Sequence, residues 1–284
     1  MLVYLNGKFL PREQAVISVD DRGFLFGDSL YEVMRSYQGF LFEKEAHLRR
    51  LQNGLQALRL RVAEFDQLGE IAQSLLREND LMHEDAAVYF QITRGAAFPR
   101  KHAFPAQEVA PTVYVAANKL ALNPAYVEHG VAIITLPDQR WDRCDLKTTN
   151  LLANVLANQQ AQEAGAYEAL FIRNGVVTEG SHSNFFALWN STLFTHPTGS
   201  AILPGMTRQV VLELGKQLGF DIEEAPLAAE RLQLTQEMFL TLTSGEIMPV
   251  IKMDGKLIGA GKPGEMTRKL QRAFHEYVEA LRRL

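Results

Sequence analysis

One lysine in this chain stands where amine chemistry could be built. In the stretch RCDLKTTNLLANVLANQQ, Lys147 precedes Thr148, Thr149 and Asn150, all residue types that cap helices. Leu151, Leu152, Val155 and Leu156 follow at helical spacing, so the pattern predicts a helix that starts beside Lys147. A first helical turn normally attracts Asp or Glu, because its unpaired N–H groups carry a partial positive charge. A buried lysine at such a place has its ammonium form disfavoured. A nucleophilic amine needs that, since a free lysine titrates near ~10.4. Position alone fits a solvated lysine equally, the commoner state of this residue.

Four other stretches carry groups of complementary chemistry. In LPGMTRQVVLELG, Pro204 and Gly205 make a turn, and Met206 and Thr207 offer N–H groups where a helix begins, an arrangement suited to phosphate. TLTSGE places Thr243 and Ser244 at a strand-to-turn junction. In VTEGSHSNFF, Glu179 ends a strand beside Gly180 and Ser181, where a carboxylate can face a ligand. In FPRKH, Arg100 and His102 alternate, and an arginine is shaped to fork a carboxylate. Each alone also reads as an ordinary cap, turn or loop tip. Together they supply an amine, a phosphate cradle and an acidic partner for a ring nitrogen, which are the needs of pyridoxal phosphate. No G-x-G-x-x-G or Walker-type loop points to a dinucleotide or nucleoside triphosphate.

These residues need a scaffold, and 284 residues suffice for two domains. Apolar (47%) and charged (22%) shares are those of a globular protein, and the net charge of −4 gives no basic field for nucleic acid or an anionic membrane. The single cysteine, Cys144, excludes a disulfide framework and a Cys-rich zinc site, and no metal is expected. With no apolar run near eighteen residues and no leader, a cytoplasmic protein is expected.

Asn6–Gly7 and Asn174–Gly175 mark hairpins. Residues 44–60, 64–79 and 264–283 show helical periodicity, and prolines 99, 105 and 111 make the stretch around FPRKH a long loop. The mixture predicts an α/β (α+β) architecture. Its expected parts are a smaller N-terminal α/β domain over 1–120 and a larger C-terminal mixed-sheet domain over 121–284, which would carry the cofactor.

From DRGFLFGDSLYEV through RWDRCDLKTTNLL, VTEGSHSNFF and ILPGMTR to GKPGEMTRKLQ, the chain resembles the class IV, fold-type IV pyridoxal-phosphate aminotransferases, and most closely their D-amino-acid-specific bacterial branch. The resemblance implies that Lys147 is the Schiff-base lysine and proton carrier. It implies that Arg50, in HLRRL, binds the cofactor phosphate with the Met206 and Thr207 amides and with Thr243 and Ser244. Glu179 matches the partner of the pyridine nitrogen, and Leu203 the residue packed behind the ring. Tyr31, Arg100 and His102 match the trap for the substrate carboxylate. In the family the arginine and histidine reach the neighbouring subunit's active site, so a homodimer is implied.

The expected reaction moves an amino group between a D-amino acid and a 2-oxo acid. Within the same fold, aminodeoxychorismate lyase, branched-chain transaminase and (R)-amine transaminase activities are alternatives, as is a non-enzymatic carrier or regulator of the cofactor. Two departures stand out. Phe98 lengthens the Arg100–His102 loop by one residue, and Leu242 and Gly245 replace hydroxyl side chains expected around Thr243 and Ser244.

Overall fold

A computed structural model describes residues 1–283, which form two compact units. The first comprises Met1–Ala121 with Leu146–Asn150, and the second Leu122–Asp145 with Leu151 onward. The first contains β1 (Leu2–Leu5), β2 (Lys8–Pro11), α1 (Arg22–Phe26), β3 (Ser29–Tyr37), β4 (Phe40–Leu41), α2 (Lys44–Ala57), α3 (Leu68–Glu78), β5 (Asp85–Thr93) and β6 (Thr112–Lys119). The strands make one antiparallel sheet in the order β2-β1-β6-β5-β3-β4. Asn6 and Gly7 both adopt positive φ, the backbone that a two-residue hairpin turn requires.

Alternation along β3 divides the chemistry of this sheet. Leu30, Glu32 and Met34 are buried, and Leu30 and Met34 join a core that includes Leu51 and Leu55 of α2 and Leu68, Ile71, Leu75 and Leu76 of α3. Tyr31 and Val33 alternate with them and are half-buried.

The second unit holds α4 (Pro124–His129), β7 (Val131–Pro137), α5 (Leu152–Glu163), β8 (Glu168–Arg173), β9 (Val176–Gly180), β10 (Asn184–Trp189), β11 (Thr192–Thr195), α6 (Met206–Gln217), β12 (Asp221–Glu224), β13 (Glu237–Leu242), β14 (Glu246–Met253), β15 (Lys256–Leu257) and α7 (Glu265–Arg282). Its sheet runs β12-β11-β10-β13-β14-β7-β8-β9, with β15 on β14. It is mixed: β11–β12, β14–β7 and β7–β8 are parallel pairs. A second core gathers Val131, Ile133, Leu170, Phe185, Leu240, Met248 and Val250.

The Lys147 segment departs from expectation twice. It groups with the first unit rather than the second, and it is not a helix start, since α5 begins only at Leu152. The cause is a strand edge. One edge of β3 is paired along its length with β5, while β4 covers the other only at Ser36–Tyr37. The Ser29–Tyr31 end of that edge is taken by the lysine segment. Tyr31 N donates to Lys147 O (2.9 Å), Thr149 N donates to Ser29 O (3.3 Å), Thr148 bridges Leu30, and the Ser29 and Thr149 hydroxyls bond each other. Thr148 and Thr149, which resemble caps, are therefore spent on β3 rather than on a helix start. The apolar residues of α5 do not point inward either: Leu152, Val155 and Leu156 are 72, 58 and 52% exposed, and the helix buries Ala157 and Ala161.

Candidate active site

In the first unit, Lys147 is half-buried with Nζ 4.4 Å from the centre of the Tyr31 ring. Tyr31 in turn stacks on Tyr89 (5.9 Å, 29°). Burial, with the neighbouring Tyr31 and Tyr114, pushes the Tyr89 hydroxyl up to about 12.

Across β3 lies a second charged group, on the buried face of the strand. Glu32 is fully buried and takes both Arg50 Nε (2.9 Å) and Nη2 (2.6 Å) in a fork, His47 Nδ1 at 3.1 Å, and the Val33 amide at 2.9 Å. Burial alone would raise its carboxyl pKa, but the Arg50 charge, the charge His47 takes up at acid pH and the hydrogen bonds of both hold it well below the usual carboxylate range. Burial pushes His47 down, with further push from the Arg50 and Lys147 charges, against the opposing pull of Glu32. The imidazole is then neutral at neutral pH and donates Nδ1–H to Glu32. Arg50 thus has a fixed direction, whereas its neighbour Arg49 is exposed.

Arg100 and His102 are exposed on the long loop, and Phe98 is 85% exposed beside them. The loop is anchored by Arg22 of α1. Its guanidinium donates to the carbonyls of Lys101 (2.6 Å), His102 (3.1 Å) and Ala103 (3.3 Å), and its Nε to Asp28 (2.9 Å). Asp28 also takes Arg94, whose guanidinium lies 3.7 Å from the centre of the Phe104 ring. Burial would raise the Asp28 carboxyl, but bonds from Arg94 and Arg22 outweigh it and hold it low.

In the second unit, Glu179 is buried at the end of β9. Its Oε1 accepts from Arg140 Nη1, and its Oε2 accepts from Asn184 Nδ2 (2.9 Å) and the Leu203 amide (3.0 Å). Every one of these contacts asks the side chain to accept, which suits a carboxylate. Arg140 is itself forked on Asp138 through Nε (2.9 Å) and Nη2 (2.8 Å). Burial would lower the Arg140 pKa, but Asp138 and Glu179 raise it, so this cation is permanent. Asn184 links the acid to the next element by donating to Leu203 O (2.8 Å). The loop after Glu179 is pinned by fully buried Glu168, which accepts from the His182 amide (2.6 Å) and Ser183 Oγ (2.8 Å).

Met206 and Thr207 open α6 behind Gly205, which has no side chain to cap them. Gly205 is dictated by packing, since a Cβ there would be driven into Asn184 Oδ1. Thr243 and Ser244 lie in the half-buried turn between β13 and β14. Two strand residues earlier, Thr241 pairs in register with Asn184, and its buried hydroxyl has no partner among the described residues. The first-turn amides of α6, which no side chain caps, the Thr241 hydroxyl and the buried Glu179 carboxyl are the groups a phosphorylated pyridine would use, so the residues present fit pyridoxal phosphate.

Lys147, Tyr31 and Arg50 accordingly share one unit, as do Glu179, Leu203, Met206, Thr207, Thr243 and Ser244 the other. Sequence reasoning missed Glu32, His47, Arg140, Asp138, Asn184 and Arg22. Only Glu32 left a sign: it is charged at the centre of the inward-facing Leu30, Glu32, Met34 series.

Comparison with known proteins agrees with this chemistry. The profile of the family "Amino-transferase class IV" matches residues 29–253. A D-alanine aminotransferase of Staphylococcus haemolyticus is 37% identical over 279 residues, covering 98% of each chain. Among solved structures, the branched-chain amino acid aminotransferase of Escherichia coli superposes with a TM-score of 0.89 at 28% identity, over 97% of this chain and 93% of that one. A second branched-chain amino acid aminotransferase, from T.th. and complexed with N-(5'-phosphopyridoxyl)-L-glutamate, superposes with a TM-score of 0.86 at 27% identity, covering 97 and 93%.

Proposed function

Since this chain belongs to the class IV aminotransferases and is a pyridoxal-phosphate-dependent transaminase, we propose that it moves the amino group of a D-amino acid such as D-alanine to a 2-oxo acid such as 2-oxoglutarate. The observation that carries this reading is end-to-end identity of 37% with a D-alanine aminotransferase, together with the exposed Arg100 guanidinium, whose N–H donors are uncommitted among the described residues.

Lys147 would carry the cofactor. Arg50, the Met206 and Thr207 amides, Thr243 and Ser244 would hold its phosphate, Leu203 would pack against its ring, and Glu179 would serve its pyridine nitrogen. When bound, the cofactor supplies the electron sink for the pair left on the donor's Cα. With the donor bound, Lys147 Nζ would remove the Cα proton as general base and, as an ammonium, give it up again as general acid. The neighbouring Tyr31 ring, against which Nζ rests, orients the amine. Arg140, backed by Asp138, fixes Glu179 by donating to one oxygen, and Asn184 fixes the other.

Tyr31, Arg100 and His102 take the donor carboxylate, which decides the enantiomer whose Cα–H points at Lys147. In this reading the enzyme is a cytoplasmic homodimer, with the Arg100–His102 loop serving the neighbouring subunit's active site. The exposure of that loop and of the apolar side of α5 supports the dimer. Among the described residues, no helix is long and apolar enough to cross a membrane.

The structural likeness to branched-chain aminotransferases favours one rival, an L-specific enzyme on the same fold. Chiral analysis of the product separates the two. Incubated with 2-oxoglutarate and racemic alanine, the enzyme is expected to yield D-glutamate and leave L-alanine; L-glutamate as the main product overturns the proposal.

A further inference from the structure

Among the described residues, no helix or strand stiffens the chain between β5 and β6, yet both trap side chains rest on a single ring. The Arg100 guanidinium carbon lies 4.3 Å from the centre of the Phe26 ring, and the His102 ring lies 5.4 Å from it. A third group, the guanidinium of Arg22, sits 4.7 Å from the same centre. The two arginines are used differently. Arg22 is buried and spends its donors on three loop carbonyls and Asp28. Arg100 is exposed, and no hydrogen bond or ion pair among the described residues engages it.

We propose that Phe26 is a specificity-determining positioning residue, whose ring holds Arg100 and His102 in the orientation that receives the donor carboxylate. A guanidinium resting on an aromatic ring is attracted through the ring's quadrupole and keeps its N–H donors for another partner. The loop can therefore be ordered without consuming the donors that bind substrate. Arg22 secures the loop backbone, and Phe26 the side chains. Phe26 is itself fixed as the last residue of α1: Asp21 caps the helix by accepting from Gly23 N (2.7 Å), and Gly27 closes it in the left-handed conformation at φ 66°. Phe26 touches neither substrate nor cofactor in this account and acts through Arg100 and His102.

The inference rests on the reading that Arg100 takes the carboxylate, so the experiment separates the two. KM and kcat for D-alanine are measured on holoenzyme for wild type, Arg100→Ala, Phe26→Leu, Phe26→Met, Phe26→Tyr and the Phe26→Leu/Arg100→Ala double variant. The cofactor's visible absorbance and circular dichroism check that each variant is folded and loaded. Arg100→Ala is expected to raise KM roughly tenfold to a hundredfold, as loss of a charge-assisted arginine–carboxylate contact does. The ringless Phe26→Leu and Phe26→Met are expected to raise KM about two- to fivefold with kcat little changed, the loss due to an exposed cation–π contact. Phe26→Tyr restores the wild-type KM, and Phe26→Leu adds less than about twofold when Arg100 is already alanine. A multiplicative effect in the double variant, or ringless variants with wild-type KM, overturns the Phe26 proposal while leaving the Arg100 reading intact. An unchanged KM in Arg100→Ala overturns both.

Discussion

Replacing Glu32 by glutamine tests whether this buried acid sets Arg50 for a phosphate. The carboxylate accepts Arg50 twice, His47 once and the Val33 amide once, and is fully buried. A glutamine keeps one acceptor oxygen. Placed to serve Arg50 Nη2, His47 and Val33, it turns its NH2 toward Arg50 Nε–H, so one charge-assisted bond becomes a donor–donor contact. Such a bond contributes about 1.5–3 kcal/mol, and unpairing a buried ion pair costs about 3–5 kcal/mol. Since the isostere keeps part of the network, a loss of about 2–4 kcal/mol is expected. At roughly 2–4 °C per kcal/mol, this lowers the Tm of the apoenzyme by about 4–16 °C.

The same substitution removes the carboxylate charge that faces Arg50, so a bound phosphate should restore more stability in Glu32→Gln than in wild type. The assay is the melting temperature of apoenzyme with increasing inorganic phosphate. The sign with pH is also fixed. Glu32 titrates lower when folded than when unfolded, so its contribution is full above about pH 4.3 and is lost as pH falls through the folded value. His47 is depressed as well, so protonation of the unfolded chain erodes stability as pH falls below about 6.5. The wild-type advantage over Glu32→Gln should narrow only below about pH 4.3. A Tm within about 1 °C of wild type, or an equal response to phosphate, would refute the reasoning.

Further outcomes are expected elsewhere in the site. Borohydride reduction followed by peptide mapping should find the cofactor on Lys147 alone, and Lys147→Ala should lose the covalent attachment; label on another lysine sinks the assignment. Glu179→Gln keeps the fold and the phosphate contacts but removes the charge facing the pyridine nitrogen. Its kcat should fall by roughly 10²–10³, the scale for loss of a preorganised electrostatic partner, with cofactor retained; near-normal rates would show that another group does this work. Gly205→Ala pushes a methyl group into Asn184 Oδ1 and should cost about 1–3 kcal/mol by thermal melting. It should also weaken cofactor binding, since Asn184 holds both Glu179 and Leu203.

What the amino-acid order reveals here follows the range of the interactions. The turns at Asn6–Gly7 and Asn174–Gly175, the helices α2, α3 and α7, and the irregular loop at Arg100 depend on nearby residues, and all are readable. The Lys147 segment misleads because Thr-Thr-Asn reads as a cap, while the force that shapes it is pairing with β3, far earlier in the chain. Buried ion networks are hidden for a similar reason. Arg140 looks like one of several charges around RWDRCD; Asp138 is its near neighbour in the chain, but only the folded sheet brings Glu179 to it. Glu32 was detectable in principle, because a carboxylate on the buried face of a strand must be paired.

The central claim, a D-specific amino-group transfer centred on Lys147, is tested most directly by the half-reaction. Holoenzyme is mixed with D-alanine or L-alanine and no acceptor, and the visible absorbance of the cofactor is followed by stopped flow. The expected result is rapid bleaching with D-alanine, very slow bleaching with L-alanine, and recovery of the band on adding 2-oxoglutarate. Faster bleaching with L-alanine, or a band that responds to neither enantiomer, would contradict it.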